Sequence, residues 1–163
     1  AMAARLMKEL QVLQREGENE EIVLFPCNDS SIHDWVGYIR GPPDTPYHHG
    51  TFELSIRVPT NYPLQPPQIK FVTKVFHPNV HFKTGEICID VLKDAWSAVY
   101  TLQSTLRSLI ALLSLPAADS PLNCDAGNLI RSGDERGFNS VARMYTLLHA
   151  ASPLPTPPWV ELQ

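Results

Sequence analysis

Around its midpoint the chain carries the run His77-Pro78-Asn79-Val80-His81-Phe82-Lys83-Thr84-Gly85-Glu86-Ile87-Cys88-Ile89-Asp90. The thiol of Cys88 follows a turn marked by Gly85, and the carboxamide of Asn79 precedes that turn. A thiol can hold an acyl group as a thioester, and a carboxamide NH₂ can donate a hydrogen bond to the oxyanion that forms when the thioester is attacked. The run therefore indicates acyl transfer through a cysteine.

The residues around Cys88 leave other interpretations open. A single cysteine in a chain of this length is more often a small buried hydrophobe than a nucleophile. A cysteine hydrolase would need a nearby base, for which His77 and His81 are candidates, although the proline after His77 favours a role in pinning the loop. Asn79 is either a turn asparagine that satisfies nearby backbone or an amide that points at Cys88.

Composition limits the class of protein. The chain has 163 residues, of which 44% are hydrophobic and 18% charged, as expected for one globular domain. A formal net charge of −4, with no large basic cluster, argues against nucleic-acid binding. We expect no direct membrane insertion, because there is no apolar run of about twenty residues, and no secretion signal, because there is no signal-type leader.

The cysteine count argues for a reducing compartment. Cys27, Cys88 and Cys124 are an odd number, and their spacing fits neither a disulfide framework nor a zinc site. We therefore expect free thiols and no bound metal.

The first part of the chain predicts one helix and an antiparallel sheet. Leu6, Leu10 and Leu13 recur at helical spacing over residues 3–16, before Gly17. Short turns rich in Gly, Pro, Asn and Asp then separate four segments of strand character, which favours a meander. These strands are predicted at 22–25, 35–39, 51–58 and 68–73.

The second part predicts a long functional loop followed by three helices. Residues 76–100 lack periodicity but are too apolar for a solvated linker, so we expect the active site there. Helices are predicted at 101–115, at 123–130, and from a capping box at Ser132 to about Ala150. The last helix should bury Phe138, Val141, Ala142, Tyr145 and Leu148.

Together these elements predict an α/β (α+β) fold: a four-stranded antiparallel meander flanked by one N-terminal and three C-terminal helices. We interpret residues 1–2 as a vector remnant and the start methionine, 3–150 as the catalytic core, and 151–163 as a proline-rich tail. The tail should be extended or disordered between Ser152 and Pro158, where four residues are prolines.

Four motifs in order resemble those of the ubiquitin-conjugating enzymes over about residues 3 to 150. They are Tyr62-Pro63-Leu64-Gln65-Pro66-Pro67, His77-Pro78-Asn79, Gly85-Glu86-Ile87-Cys88-Ile89-Asp90-Val91-Leu92 and Trp96-Ser97. The resemblance implies that Cys88 accepts the C-terminal glycine of ubiquitin from the activating enzyme as a thioester. It also implies that Asn79 supports the oxyanion, and that ATP is consumed by the activating enzyme, with no cofactor in this chain.

The resemblance also assigns roles around the thiol. Asp90 would lie near the donor tail, and Ser120, beside Asp119, would stand at the gate of the catalytic groove. Contacts with the activating enzyme and with a RING-type ligase would come from Arg5, Lys8, Leu64, Ala98 and Val99. Many members have Ser-Pro-Ala where this chain has Ser97-Ala98-Val99, and Phe where it has Leu64, which leaves the choice of ligase open.

A folded-back donor ubiquitin would pack on the outer face of the helix at 101–115. That face comprises Ser104, Arg107 and Ala111, and Arg107 stands where an apolar residue is common. A plain solvated helix face is the alternative.

Within the family the chain is most similar to the peroxisomal branch, on residues 119–128 and on Arg131-Ser132-Gly133-Asp134. This implies ubiquitination of the peroxisomal import receptor on lysine or cysteine. It also implies a cytoplasmic enzyme, held at the cytosolic face of the peroxisome by a membrane-anchored partner. The alternatives are a carrier of another ubiquitin-like modifier and a non-catalytic variant that only presents ubiquitin.

Overall fold

The computed structural model describes residues 2–160. The chain begins with helix α1, Met2–Glu16, which buries Leu6 completely and Leu13 almost completely. Gly17 ends the helix at φ +73°, a left-handed conformation that favours glycine, and its N–H donates to the Leu13 carbonyl. The N-terminal helix predicted from leucine spacing is thus confirmed, whereas the interpretation of Ala1 falls outside the described residues.

Four antiparallel strands follow in the order β1-β2-β3-β4, which confirms the predicted meander. They span Ile22–Asn28, Ser31–Arg40, Thr51–Arg57 and Gln68–Phe71. The first two strands are longer than predicted, because the Asn28 side chain accepts hydrogen bonds from Ser30 N and Ser31 N and closes a tight hairpin. The last strand ends early, since the next two backbone N–H groups donate to the Glu53 carbonyl.

Helix α2, Leu102–Ser114, packs its apolar side onto the inner face of the sheet. Leu102, Leu106 and Leu109 are fully buried, and each such side chain contributes roughly 1.5–3 kcal/mol of transfer free energy. At Gly37 in β2 a Cβ would lie 2.9 Å from Leu106 Cδ2, so the helix approaches the sheet backbone closely. This packing fixes the position of α2 relative to the loop that carries Cys88.

The predicted start of the last helix is wrong. Helix α3 spans Cys124–Arg131 and helix α4 spans Glu135–His149. Asp134, not Ser132, is the N-cap of α4, and its carboxylate accepts a hydrogen bond from Gly137 N at 2.9 Å. Ser132 is used at the end of α3 instead, where its hydroxyl donates to the Leu129 carbonyl. There is therefore no capping box at Ser132.

Of the residues predicted to be buried on α4, Phe138 and Ala142 are buried, Val141 and Tyr145 are half-buried, and Leu148 is exposed. Phe138, Ala142 and Thr146 form the fully buried stripe at intervals of four residues. Leu148, two positions past Thr146, lies on the opposite side of the helix and is 66% exposed.

The proline-rich tail forms no helix or strand between Ser152 and Pro158, as an extended segment would, but up to residue 160 it packs against the core. Pro157 is buried, and the half-buried indole of Trp159 packs against the core cluster. A turn follows, in which Val160 N donates to the Pro157 carbonyl.

Two further properties concern the described part of the chain. No helix within residues 2–160 is long and apolar enough to cross a membrane. Nor do His, Cys, Asp and Glu side chains of these residues form a group of three or more that would hold a metal ion.

Candidate active site

Cys88 lies in the long loop between β4 and α2, where a small hairpin exposes it. Val80 pairs with Ile87 across this hairpin, and Cys88 N donates to the Asn79 carbonyl at 2.8 Å. Gly85 is required in the turn, because its φ is +76° and a Cβ there would overlap the Phe71 carbonyl oxygen. The Cys88 side chain is partly exposed, and the hairpin holds its backbone beside that of Asn79.

His77 is completely buried at the start of this loop and is held in one tautomer. Its Nδ1 accepts from Asn79 N at 3.0 Å, so Nε2 carries the proton and donates to the Leu112 carbonyl of α2 at 2.8 Å. Burial lowers the pKa of His77 to about 4, although the hydrogen bond to Leu112 opposes this. A neutral imidazole with both nitrogens occupied is not available as a base for Cys88.

His81, the other candidate base, is used within its own turn. Its Nδ1 accepts hydrogen bonds from Lys83 N and Thr84 N, each at 3.2 Å. Neither histidine of the loop is therefore arranged as in a cysteine hydrolase, where an imidazole must face the thiol.

The carboxamide of Asn79 is bound to a segment far away in the sequence rather than directed at Cys88. Its Nδ2 donates to the Ala117 carbonyl and its Oδ1 accepts from Ala117 N, both at 2.8 Å, and the residue is 3% exposed. The side chain thus fits neither alternative drawn from the sequence, because it binds a distant loop instead of nearby backbone and its amide is not directed at Cys88. The NH₂ group has a second N–H beyond the one given to Ala117.

Asp119 and Ser120 project from a loop that is fastened to both residues after His77. Besides the Asn79–Ala117 pair, the Pro78 carbonyl accepts from Leu122 N at 2.9 Å and from Asn123 N at 3.2 Å. Asp119 and Ser120 are both exposed, and Ser120 has a left-handed backbone with φ +53°. The structure thus brings the predicted gate next to the loop that carries Cys88.

Asp90 is exposed two residues after the thiol, at the start of the 3₁₀ turn Asp90–Leu92. Its backbone carbonyl accepts from Lys93 N and Ala95 N. Its carboxylate makes no hydrogen bond or ion pair to any residue within 2–160. The carboxylate is therefore exposed, two residues after Cys88 in the chain.

The residues predicted to contact partner enzymes form a second surface. Leu64 and Val99 are 79% and 80% exposed, Ala98 and Lys8 are also exposed, and Trp96 Nε1 joins their two loops by donating to the Pro63 carbonyl at 2.8 Å. Arg5 differs from this group. It is half-buried, and its guanidinium donates to Glu9 and to the Tyr100 carbonyl.

The predicted donor face of α2 is only partly open. Arg107 and Ala111 are exposed on the outer side of the helix. Ser104 is half-buried, and its hydroxyl is used in the capping box with Thr101 that begins α2. The face therefore offers an arginine and an alanine more readily than a serine hydroxyl.

Two important positions were missed by sequence analysis. Glu9 is a carboxylate only 8% exposed on the apolar side of α1, three residues from Leu6 and four from Leu13. The sequence did give a signal, because a charged residue stands here on the side of the helix that carries the regularly spaced leucines. Ala117 offers only backbone atoms to Asn79, so no sequence signal marked it.

In chemical terms the site presents a partly exposed thiol and an anchored carboxamide, and neither His77 nor His81 is placed as a general base. Such a site suits exchange between thioesters, which is nearly balanced in free energy and depends on positioning and oxyanion support. Hydrolysis driven by an imidazole base is not supported by this geometry.

Comparison with known proteins gives the family directly. Residues 5–146 match the model described as Ubiquitin-conjugating enzyme. This chain belongs to the ubiquitin-conjugating enzymes. The resemblance drawn from the four motifs is therefore confirmed, and so is the enzyme class.

Similar relatives carry peroxin-four names. This conjugating enzyme is 71% identical over 148 residues to ubiquitin-conjugating enzyme E2 pex4 of Dictyostelium discoideum, covering 91% of this chain and 99% of the relative. It is 58% identical over 150 residues to Protein PEROXIN-4 of Arabidopsis thaliana, covering 92% and 96% respectively. The predicted similarity to the peroxisomal member is thus confirmed.

A solved structure shares the fold. The ubiquitin-conjugating enzyme Pex4p of H. polymorpha, crystallised with the soluble domain of Pex22p, superimposes with a TM-score of 0.87 at 36% identity. The match covers 92% of this chain and 98% of that one, so all four helices and the sheet fall within a known conjugating-enzyme architecture.

Proposed function

We propose that this conjugating enzyme carries ubiquitin as a thioester on Cys88 and passes it to a lysine or cysteine of its substrate. The observation that carries the proposal is the placement of Cys88: its thiol is partly open, and its backbone is fixed to Asn79. Asn79 in turn is fixed to the gate loop. A thiol held in this way meets an incoming thioester in a defined orientation.

The proposed reaction has two steps, loading and discharge, and neither of them changes an oxidation state. In loading, the Cys88 thiolate attacks the thioester carbonyl on the activating enzyme, a new S–C bond forms, and the activating enzyme's thiolate leaves. In discharge, a lysine amine or cysteine thiolate attacks the same carbonyl carbon and the Cys88 thiolate leaves. An attacking amine loses its proton to solvent or to the departing sulfur. ATP is consumed by the activating enzyme, so this chain needs no cofactor of its own.

Asn79 supports discharge with the N–H that Ala117 does not use. Both steps pass through a tetrahedral oxyanion, which a fixed N–H donor stabilises. Because Ala117 holds the carboxamide and does not direct it at Cys88, this role requires the carboxamide to turn toward the thioester when the charge develops. Asp90, Asp119 and Ser120 border the groove in which the ubiquitin tail and the acceptor would lie.

The exposed surface of Lys8, Leu64, Ala98 and Val99 receives the activating enzyme and a RING-type ligase in turn. The outer face of α2, with Arg107 and Ala111, receives the donor ubiquitin. Apolar side chains as exposed as Leu64 and Val99 on adjacent loops are typical of protein-binding sites.

The physiological substrate we propose is the peroxisomal import receptor. Support comes from the peroxin-four names of the relatives from Dictyostelium and Arabidopsis. The Pex4p structure was solved with the soluble domain of Pex22p, and we propose that a corresponding membrane-anchored protein recruits this enzyme to the cytosolic face of the peroxisome.

A charging assay tests the proposal. With activating enzyme and ATP, wild-type protein should form a thiol-sensitive adduct with ubiquitin, and Cys88→Ala should form none. Cys124→Ala is the matched control, because Cys124 is also a free and exposed cysteine but lies at the start of α3. Adduct formation by Cys88→Ala would refute the assignment.

The same assay addresses the alternative modifiers. We expect charging with ubiquitin to exceed charging with any other ubiquitin-like protein presented by its own activating enzyme. A preference for another modifier would make the chain a carrier of that protein, and no charging at all would make it a non-catalytic presenter.

A further inference from the structure

Glu9 is a buried carboxylate that binds groups on α1 and beside two loops, the loop that carries Leu64 and the loop that carries Val99, which we call the docking loops. Its Oε2 accepts from Arg5 Nε at 3.0 Å and from the Tyr62 hydroxyl at 2.6 Å. Its Oε1 accepts from Leu102 N at 2.7 Å. The single side chain therefore joins α1, the turn before Leu64 and the first residue of α2.

The bound Arg5 extends this connection to the second loop. Its Nη2 donates to the Tyr100 carbonyl at 2.7 Å, next to the exposed Val99, and its guanidinium carbon lies 5.9 Å from the centre of the Tyr62 ring. We call Glu9, Arg5 and Tyr62, with the backbone groups of Tyr100 and Leu102, the Glu9 cluster. It supports both docking loops from beneath.

The electrostatics of the Glu9 cluster favour one fixed arrangement. The negative charge of Glu9 faces a guanidinium and the N-terminus of α2, where the helix dipole is positive. Burial, reinforced by the hydrogen bond to Glu9, raises the pKa of Tyr62, so the phenol stays protonated and donates. A buried carboxylate that loses one of these donors is left poorly compensated, so the loops should move when the cluster is disturbed.

Arg5 and Lys8 are therefore different kinds of cation. Lys8 is exposed on α1 and is free to meet a partner, whereas the guanidinium of Arg5 is turned inward. We propose that Glu9 and Arg5 act as one positioning unit that sets the relative placement of Leu64 and Val99 for the activating enzyme and ligase. This inference rests on the proposed function, and it replaces direct partner contact as the role of Arg5.

A double-mutant cycle on the loading reaction tests this unit. Glu9→Gln keeps the size and an acceptor for Leu102 N but removes the charge that holds Arg5. We expect Glu9→Gln and Arg5→Ala each to raise the KM of the activating enzyme for this protein about fivefold, with kcat changed less than about twofold. The double variant should be no worse than either single one, because both act through the same contact.

Two matched variants make the cycle specific. Lys8→Ala should multiply the effect of Glu9→Gln, since Lys8 acts independently. Glu16→Gln is the control for carboxylate loss from α1, because Glu16 is exposed and accepts only a surface hydrogen bond from Gln103 Nε2 at 3.0 Å. Its KM should be unchanged. Effects of Arg5→Ala and Glu9→Gln that multiply would overturn the proposal and restore Arg5 as a direct contact.

A structural measurement separates this inference from the proposed function. In two-dimensional NMR spectra, Glu9→Gln should shift the backbone amides of residues 64 and 97–100, while the amide of Cys88 stays in place. Tyr62→Phe, which removes only one hydroxyl, should shift the same amides less and provides a milder variant. Shifts confined to α1 would overturn the positioning role. These spectra decide the matter even if the protein does not load ubiquitin.

Discussion

The two side chains on either side of Pro78 tie the loop of Cys88 to distant parts of the chain. His77 holds it to the Leu112 carbonyl of α2, and Asn79 holds it to the backbone of Ala117. At the scale of single residues, the site is therefore built from neutral hydrogen bonds rather than from an acid–base pair. Its pH dependence and its response to substitution follow from that.

His77 should make the folded protein sensitive to acid. The unfolded chain has a histidine pKa near 6.5, whereas burial lowers the pKa of folded His77 to about 4, so below pH 6.5 the unfolded state binds more protons. The stabilisation is complete above pH 6.5 and is lost as the pH falls toward 4. At about 1.36 kcal/mol per pH unit, the free energy of unfolding should fall by roughly 2 kcal/mol between pH 6.5 and 5.

Urea unfolding at several pH values checks this, with His77→Gln as the comparison. The variant lacks the titrating ring and should lose that part of the pH slope, although it will be less stable at neutral pH. Equal slopes for both proteins would show that His77 is not the group responsible.

Asn79→Ala should separate loading from discharge. Without the carboxamide we expect near-normal loading, because thioester exchange is nearly balanced, but discharge onto lysine slower by roughly 10²-fold, the usual cost of one oxyanion donor. Single-turnover assays of the two steps measure this. Stability should also drop by about 1–3 kcal/mol, since Ala117 loses two partly buried hydrogen bonds. An equal defect in both steps would mean that the asparagine only shapes the loop.

At the scale of elements, local patterns predicted what is locally determined. Leucine spacing predicted α1, and alternation in Thr51–Arg57 predicted a strand whose even-numbered residues face the core. The hydrogen bonds that anchor Asn79 could not be predicted from the sequence, because its partner Ala117 lies on another loop and contributes only backbone atoms. The capping error arose because Ser132 and Asp134 are both good N-cap residues just before Glu135, and only the end of α3 decides between them.

The N-cap of α4 gives a direct test of that correction. Asp134→Ala should destabilise the protein by about 1 kcal/mol, because Gly137 N loses its acceptor at the helix terminus. Ser132→Ala removes only an exposed hydrogen bond to the Leu129 carbonyl and should cost less than about 0.5 kcal/mol. Chemical denaturation of both variants decides the matter. The reverse order would favour the capping box at Ser132.

At the scale of the whole molecule, the site depends on three parts of the fold, which are the sheet, α2 and the loop before α3. The sheet supports α2, α2 holds His77, and the loop before α3 holds Asn79. Composition and motif order predicted the fold class and the family, since both are encoded in contiguous segments. The docked tail was not predicted, because proline-rich composition says nothing about whether one later aromatic residue finds a place on the core.

Docking of the tail should contribute to stability and not to chemistry. Trp159→Ala removes a half-buried indole from the core and should lower the free energy of unfolding by about 1–3 kcal/mol, with charging by ubiquitin unchanged. Leu148→Ala is the matched control, because that side chain is 66% exposed and should cost less than about 0.5 kcal/mol. Thermal unfolding compares the two. Equal, small effects would show that the tail is not docked in solution.

The central claim is that the sulfur of Cys88 carries ubiquitin as a thioester. The most direct measurement is peptide mapping by mass spectrometry of the Cys88→Ser variant after incubation with activating enzyme, ATP and ubiquitin. A serine hydroxyl forms an oxygen ester that resists thiols and is cleaved by alkali, so the adduct survives digestion. We predict the ubiquitin C-terminal glycine on residue 88. An adduct on Cys27 or Cys124 instead would contradict the account.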